Sequence, residues 1–315
     1  MVDDVTNRIL LALLCAPLLL AGCGVSDTKQ IVEPPPFTIS FDGLAFGDST
    51  SIDIVTWNLH NFPSTNLSVE YAAKALRAID ADVVALQEIV VNAEFNVLLD
   101  SLPGWTGYRA TGASFDQNLA LLWNNDEVTI IGEPYEIFTS DWNAFPRSPL
   151  VIEIAVREDT LIVINNHLKA SEGGDDNIID FTDTDDNEYR RYIASVMLEE
   201  WIRSEHPDDA VIVLGDLNDL LIDTSPNNVF QAMMDRPEQY RFADLSLATG
   251  PSSGWSWKYR SHLDHILVTN ELFPAVEAAE AEVRTLRLDL YLENYWSEYE
   301  TNLSDHLPVA LKLPL

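Results

Sequence analysis

The stretch that most constrains this chain is Ala210-Val-Ile-Val-Leu-Gly-Asp-Leu-Asn-Asp219. Val211 to Leu214 reads as a strand buried on both faces, and the run breaks at Gly215 to deliver Asp216, Asn218 and Asp219. Side chains two apart on a strand share a face, so Asp216 and Asn218 are expected to point together while Leu217 turns inward. A carboxylate and an amide side by side at the end of a rigid strand can orient a water or a phosphate. Taken alone, the stretch reads equally well as a strand followed by an Asp/Asn turn. Partners elsewhere in the chain decide between the two.

Such partners recur. Ile52 to Asn58 alternates and ends polar, and Asp82 to Glu88 is a buried strand ending in Gln87-Glu88. Leu119 to Trp123, Val128 to Ile131, Leu150 to Val156 and Leu161 to Asn166 read as further strands, as do Leu263 to Val268, Ala281 to Leu290 and Leu307 to Leu313. Val69, Ala72, Ala73, Leu76 and Ile79 have helical spacing. Asn92 is placed as the cap of a helix running to about Leu102. Glu188 to His206 predicts a helix stopped by Pro207, and a shorter one lies near Asn228 to Met234. Many strands, few helices and no strict βαβ repeat point to two packed sheets with helices outside.

The strand ends share a chemistry: Asn58, Glu88, His167, Asp216 with Asn218, Asp264, and Asp305-His306. Carboxylates, amides and imidazoles at one edge make a site for a hard cation and for proton transfer. Glu88, held at the end of a strand, suits Mg2+, with Gln87 and Asn58 as neutral neighbours. Adjacent side chains diverge on extended backbone, so Asp305 is not expected to orient His306. Asp264 is the best candidate for that role, which makes His306 a general base and frees Asp305 for metal.

The formal net charge is -33, with 18 Lys+Arg against 51 Asp+Glu. Such a surface repels polyanions and argues against a protein that coats nucleic acid, though not against an enzyme that grips one phosphodiester through metal. The same excess suits a protein adapted to high salt. Ile9 to Ala21 is apolar but too short to span ~30 Å of hydrocarbon. It reads as a secretory signal, and Leu20-Ala21-Gly22-Cys23 resembles the bacterial lipobox. Residues 1–23 are therefore expected to be a lipoprotein signal peptide, 24–36 a Pro-rich tether, and 37–315 the functional domain. The expected location is the bacterial cell envelope, anchored at Cys23. The only cysteines are Cys15 and Cys23, which leaves the domain no disulfide and no thiolate site.

Thr56-Trp-Asn58, Leu86-Gln-Glu88, Asn165-Asn-His-Leu-Lys169, Gly215-Asp-Leu-Asn218, Leu263-Asp-His-Ile-Leu267 and Ser304-Asp-His-Leu-Pro308 resemble, in order, the motifs of the endonuclease/exonuclease/phosphatase superfamily. That superfamily includes pancreatic-type deoxyribonucleases, abasic-site endonucleases, neutral sphingomyelinases and inositol polyphosphate 5-phosphatases. The resemblance covers roughly Ile52 to Leu311. It implies a four-layer α/β/β/α sandwich and phosphoester cleavage dependent on Mg2+ or Mn2+. By the same resemblance Glu88 is the main metal ligand with Asn58 adjoining, and Asp305 is a second metal-side carboxylate. Asp216 and Asn218 position water and phosphate, His306 is the base and Asp264 orients it. His167 corresponds to the phosphate-contacting imidazole of the deoxyribonuclease-like branch. His60 stands where some relatives carry a carboxylate.

Other residues carry less specific signals. Arg147, Lys169, and Arg190 or Arg191 suit either a phosphate or a surface salt bridge. Glu172 to Glu188 holds eight acids and no base, a solvated loop or a structural Ca2+ site lacking the glycine and closing Glu of an EF-hand. Trp255, Trp257 and Tyr259 alternate with Ser256, Lys258 and Arg260, as a packed aromatic face or a stacking platform for bases. Three functions compete. One is a secreted nuclease or phosphodiesterase acting on DNA or RNA. The second is a hydrolase of a small or lipid phosphoester, and the third a non-catalytic surface-binding lipoprotein. The only membrane contact expected is the lipid anchor, and no protein partner is inferred.

Overall fold

The computed structural model describes residues 39–171, 178–257 and 260–314. The signal segment, the tether with Cys23, part of the acidic loop, Lys258 and Tyr259 lie outside the described residues. Twelve strands are described: β1 (Ile52–Phe62), β2 (Val83–Ile89), β3 (Trp105–Arg109), β4 (Asn118–Asn124), β5 (Thr129–Glu136), β6 (Leu150–Val156), β7 (Asp159–His167), β8 (Ala210–Asp216), β9 (Tyr240–Phe242), β10 (Asp264–Thr269), β11 (Glu282–Thr285) and β12 (Val309–Leu313). The α-helices are α1 (Ser68–Ile79), α2 (Asn92–Asp100), α3 (Asn187–Glu205), the single turns α4 (Gln231–Met234), α5 (Leu245–Ala248) and α6 (Phe273–Val276), and α7 (Tyr295–Asn302).

The strands form two six-stranded sheets, ordered β11-β12-β1-β2-β4-β3 and β5-β6-β7-β8-β10-β9. Each sheet has one parallel pair, β1 with β2 and β7 with β8, and its other neighbours are antiparallel. A parallel pair needs a crossover, and α1 and α3 supply one to each sheet. The architecture is the expected α/β sandwich.

Strand periodicity explains the layers. Ile52 and Ile54 of β1, Val83 and Ala85 of β2, Leu161 and Val163 of β7, Ile212 and Leu214 of β8, and Ile266 and Val268 of β10 fill the core between the sheets. The alternate residues Val55, Trp57 and Leu59 face the core that contains α1 and α2. Ile162, Ile164, Val211 and Val213 face Ala194, Leu198 and Ile202 of α3. Continuing by twos from the central set brings Asn58, Gln87, Asn165, His167, Asp216 and Asp264 onto the same inter-sheet face, at its polar end.

Several local expectations change. Asn92 is the first residue of α2 rather than its cap, which is Val91 without a side-chain bond. β11 stops at Thr285, and Leu288–Tyr291 is a 3₁₀ turn. The start of α3 is fixed by Asp186, whose carboxylate accepts from the Tyr189 N–H at 2.8 Å.

Gly215 permits the close approach of β8 to β7. Its φ is +147°, and a Cβ built there would lie 1.9 Å from the Asn166 carbonyl oxygen. Gly215→Ala is expected to destabilise the fold by about 3 kcal/mol or more, because backbone rather than a movable side chain is in the way. Denaturant unfolding checks this, and a loss under 1 kcal/mol contradicts the stated packing.

Candidate active site

The polar ends of the two sheets line a cleft of about 630 Å³, walled by Glu88, His167, Asp216, Asn218, Asp305 and His306 among others. Glu88 reaches it by a backbone irregularity. Its neighbour Gln87 holds the inward position of β2, so regular alternation would send Glu88 away. Instead the β2–β4 register shifts between Leu86 and Ile89, and Glu88 takes φ +60°. His60, Asn61 and Asn218, also on the cleft or its rim, have left-handed backbone too. Asn61 N–H donates to Glu88 Oε2 at 2.8 Å. Strain of this kind concentrates where function requires it.

Asn58 is expected to adjoin the metal ligand Glu88 as a neutral oxygen or a donor, and here it turns its N–H side to the carboxylates. Its Oδ1 accepts from the His60 N–H at 2.9 Å, which fixes the amide orientation. Its Nδ2 then donates to Asp216 Oδ2 at 2.8 Å and to Glu88 Oε1 at 3.3 Å. Gln87 also leaves the cleft and donates to Asn165 Oδ1 at 2.8 Å. Asn165 in turn donates to the Leu86 and Ala120 carbonyls, joining the two sheets through a buried amide pair.

His306 Nδ1 lies 2.7 Å from Asp264 Oδ2, and His306 Nε2 lies 3.7 Å from Asp216 Oδ2. The imidazole is fixed from behind as well. Its backbone carbonyl accepts from the Tyr299 hydroxyl at 2.5 Å and from Trp57 Nε1 at 3.2 Å. Its N–H donates to Ser304 Oγ, whose hydroxyl donates to the Asn58 carbonyl. Burial alone would lower the His306 pKa, but the Asp264 and Asp216 carboxylates outweigh it and hold it up at about 10. Burial raises Asp216 to about 7, against the pull of His306.

His167 sits between the acids, with Nε2 at 3.7 Å from Asp216 Oδ2 and 3.9 Å from Glu88 Oε1. Burial, then the charges of Arg147 and His306, keep its pKa well below the usual value, so it is neutral. Asn218 lines the cleft, but not by strand alternation. β8 has already ended, and its φ of +54° belongs to a turn in which its N–H donates to Asp216 Oδ1 at 3.1 Å. Asp305 is engaged by His60 Nδ1 at 2.6 Å and by Trp257 Nε1 at 3.2 Å.

The expected phosphate cations separate. Arg147 is buried behind the cleft, donates to Gln117 Oε1, and leaves its Nε without a partner. Glu88 and Asp216 are the carboxylates whose charge it feels. Lys169 turns its ammonium to the Ala170 carbonyl. Arg190 donates to the Asn143 carbonyl and lines a separate hollow with Asp141 and Thr184. Arg191 borders the cleft but is spent on Glu188 and Asp219. Of the aromatic strip, Tyr259 lies outside the described residues. Trp257 bridges Ser261, the Arg260 guanidinium lies over the Trp257 ring, and that ring stacks against His306.

A second buried cluster, which the motifs do not single out, lies around Asp244. Asp244 Oδ2 lies 2.6 Å from His265 Nδ1 and 3.0 Å from His262 Nε2. His262 Nδ1 accepts from the Ser256 N–H. His265 Nε2 faces the Asp219 carbonyl at 2.9 Å, and a carbonyl can only accept. Both nitrogens of His265 therefore carry protons. Burial opposes that charge, but Asp244 overcomes it and raises the His265 pKa. Burial would likewise raise Asp244, yet His265 and His262 hold it well below the carboxylate range. Every ring nitrogen is committed to a hydrogen bond, so the cluster is held by protons. It grips the backbone of Asp219, one residue beyond the Asp216–Asn218 turn.

The linkage has a definite sign. Stability from Asp244 is present above its unfolded value near 4 and lost as pH falls through its lowered pKa. Stability from His265 is present below 6.5 and lost as pH rises through its raised pKa. Asp244→Asn is expected to cost about 3–5 kcal/mol at pH 6, with a shallower loss on the alkaline side, because it leaves a buried cation unpaired. Denaturant unfolding across pH measures both, and a cost under 1 kcal/mol contradicts the pairing.

Among similar solved structures is D. rerio TDP2 complexed with a single-strand DNA product, at 17% identity and TM-score 0.59, covering 84% of this chain and 99% of that one. The human Nocturnin catalytic domain with bound sulfate matches at 16% identity and TM-score 0.58, over 84% and 94% of the two chains. A Bacteroides thetaiotaomicron endonuclease/exonuclease/phosphatase family protein matches at 14% identity and TM-score 0.54, over 84% and 98%. At such identities the likeness is one of fold. No curated protein sequence matches this chain. The family model described as Endonuclease/Exonuclease/phosphatase family matches residues 55–306, and the chain belongs to that family.

Proposed function

We propose that the protein is a divalent-metal-dependent phosphoester hydrolase, a nuclease or phosphodiesterase in which His306 activates water for in-line attack on phosphorus. The observation that carries this reading is the His306–Asp264 pair, facing Asp216 in one cleft with Glu88 and His167. The donor set fits a hard cation. Glu88, Asp216 and Asp264 converge against imidazoles, and Asp264 Oδ1 has no hydrogen-bond partner among the described residues. Oxygen donors of this kind suit Mg2+ or Mn2+, which Glu88 would hold. A bound ion would supply charge to the non-bridging and leaving oxygens.

The chain's own residues do the remaining work. Asp264 keeps the Nδ1 proton of His306 in place and leaves Nε2 to accept a proton from water. Asp216 and Asn218 orient that water and the phosphate. His167, neutral, presents Nε2 as a donor where charge grows on the phosphoryl oxygens. His306 begins protonated among its carboxylates, so added positive charge there lowers its pKa and releases the base.

The DNA product bound to the D. rerio relative supports a nucleotide substrate, while a net charge of -33 favours a small substrate over a polymer. Export and a lipid anchor at Cys23 belong to the same proposal, on the strength of the apolar run and the lipobox-like sequence. His306→Ala is expected to lower kcat by about 10²–10⁴-fold. In the wild type the acid limb of the pH profile should move to lower pH as Mg2+ is raised. Assays on plasmid DNA, RNA, bis(p-nitrophenyl) phosphate, a phosphomonoester and sphingomyelin, each with Mg2+ or chelator, check this. Polymer cleavage selects the nuclease, and turnover of small or lipid esters alone selects the narrower hydrolase. No Mg2+-dependent turnover of any of them contradicts the proposal.

A further inference from the structure

Basic residues are few beside the acids of this protein, 18 against 51, and among the described residues nearly every guanidinium is bound to the protein itself. Arg77 donates to the Ser101 carbonyl, and Arg157 to those of Ser49, Thr50 and Ser51. Arg203 and Arg236 share Glu199, and Arg241 pairs with Glu277. Arg260 is the exception. Among the described residues its guanidinium makes neither a hydrogen bond nor an ion pair, although the chain has 51 acids.

It is nevertheless held in place. The guanidinium carbon lies 4.6 Å from the centroid of the Trp257 ring. That ring is fixed by its own Nε1–H to Asp305 Oδ2 at 3.2 Å and stacks on His306 at 6.3 Å and 24°. Arg260 N–H donates to the Trp257 carbonyl, and Trp257 and Ser261 form a bridge. A cation with all its donors unspent is thereby set in the cleft wall on the side of the proposed base.

We propose that Arg260 anchors a second phosphate of the substrate, beyond the one that is cleaved. The inference rests on the phosphoester-hydrolase reading and narrows it. A guanidinium presents its donors in a fork that matches phosphate oxygens. Arg191, the other arginine lining the cleft, is consumed by Glu188 and Asp219. Among the described residues the cleft has one uncommitted guanidinium and no basic track beyond it. It suits a short ester carrying two phosphates and lacks the repeated cations a long strand requires.

A matched pair of chromogenic esters tests this: thymidine 5′-(p-nitrophenyl phosphate) with and without a 3′-phosphate. The readout is the ratio of kcat/KM for the bisphosphorylated ester to that for the singly phosphorylated one. The wild-type ratio is expected to exceed one and to fall about tenfold in Arg260→Gln, with part restored in Arg260→Lys. Arg241→Gln removes the same charge far from the cleft and should keep the wild-type ratio. An unchanged ratio in Arg260→Gln, or an equal fall in Arg241→Gln, overturns the proposal. If the wild type hydrolyses neither ester, the hydrolase reading fails only where the phosphoesters named above are also left intact. Calorimetric binding of thymidine 3′,5′-bisphosphate then still judges Arg260, with about tenfold weaker binding expected in Arg260→Gln and equal binding overturning its role.

Discussion

The site depends on one face of two sheets serving two purposes. Along β1, β2, β7, β8 and β10, residues spaced by twos first bury aliphatic side chains between the sheets and then present amides, carboxylates and an imidazole. The apolar half drives the sheets together, by about 25 cal/mol for each Å² of apolar surface removed from water. The polar half is then obliged to find partners across the seam, since an unpaired buried amide or carboxylate is costly. Asn165 donating to the Leu86 and Ala120 carbonyls, Asn58 to Asp216, and His306 to Asp264 are that solution. The last two also bring the candidate base and its acid neighbours within reach of each other.

This explains what the sequence could disclose. Apolar runs ending in polar residues are local patterns, so the central strands, the three long helices and the set Glu88, His167, Asp216, Asn218, Asp264 and His306 were all legible. Partner choice was less so. Gln87 and Glu88 are neighbours, yet one bolts the sheets and the other lines the cleft, because a bulge breaks the alternation between them. The orientation of the Asn58 amide depends on the His60 N–H, which only the left-handed turn at His60 supplies. Arg190 and Arg191 are adjacent on one helix and therefore diverge, one to a separate hollow and one to the cleft. Asp244 and Tyr299 act from distant segments and carry no motif of their own. The available hint was that His262 and His265 flank an Asp already committed to His306, and so need another carboxylate.

The charge distribution has two tiers. Buried cations are held for structure. His265 on Asp244 and on the Asp219 carbonyl, with Arg191 on the Asp219 carboxylate, fix the segment that follows the Asp216–Asn218 turn from two sides. At the cleft the acids outnumber the permanent cations. Burial, with the neighbouring carboxylates adding to it, raises the Asp216 pKa to about 7, and the attraction of Asp264 and Asp216 keeps His306 protonated, a state that added positive charge would relieve. The surface carries the same excess of acid, which disfavours extended polyanions and leaves Arg260 as a local exception.

Anomalous scattering from crystals grown with Mn2+ bears most directly on the central claim that these strand ends form one cation-dependent site. A peak in the cleft beside the Glu88 carboxylate, within reach of the side facing His306, is predicted. Protein that diffracts well in saturating Mn2+ yet shows no density there, or shows it only at the Asp244–His262–His265 cluster, would contradict the account.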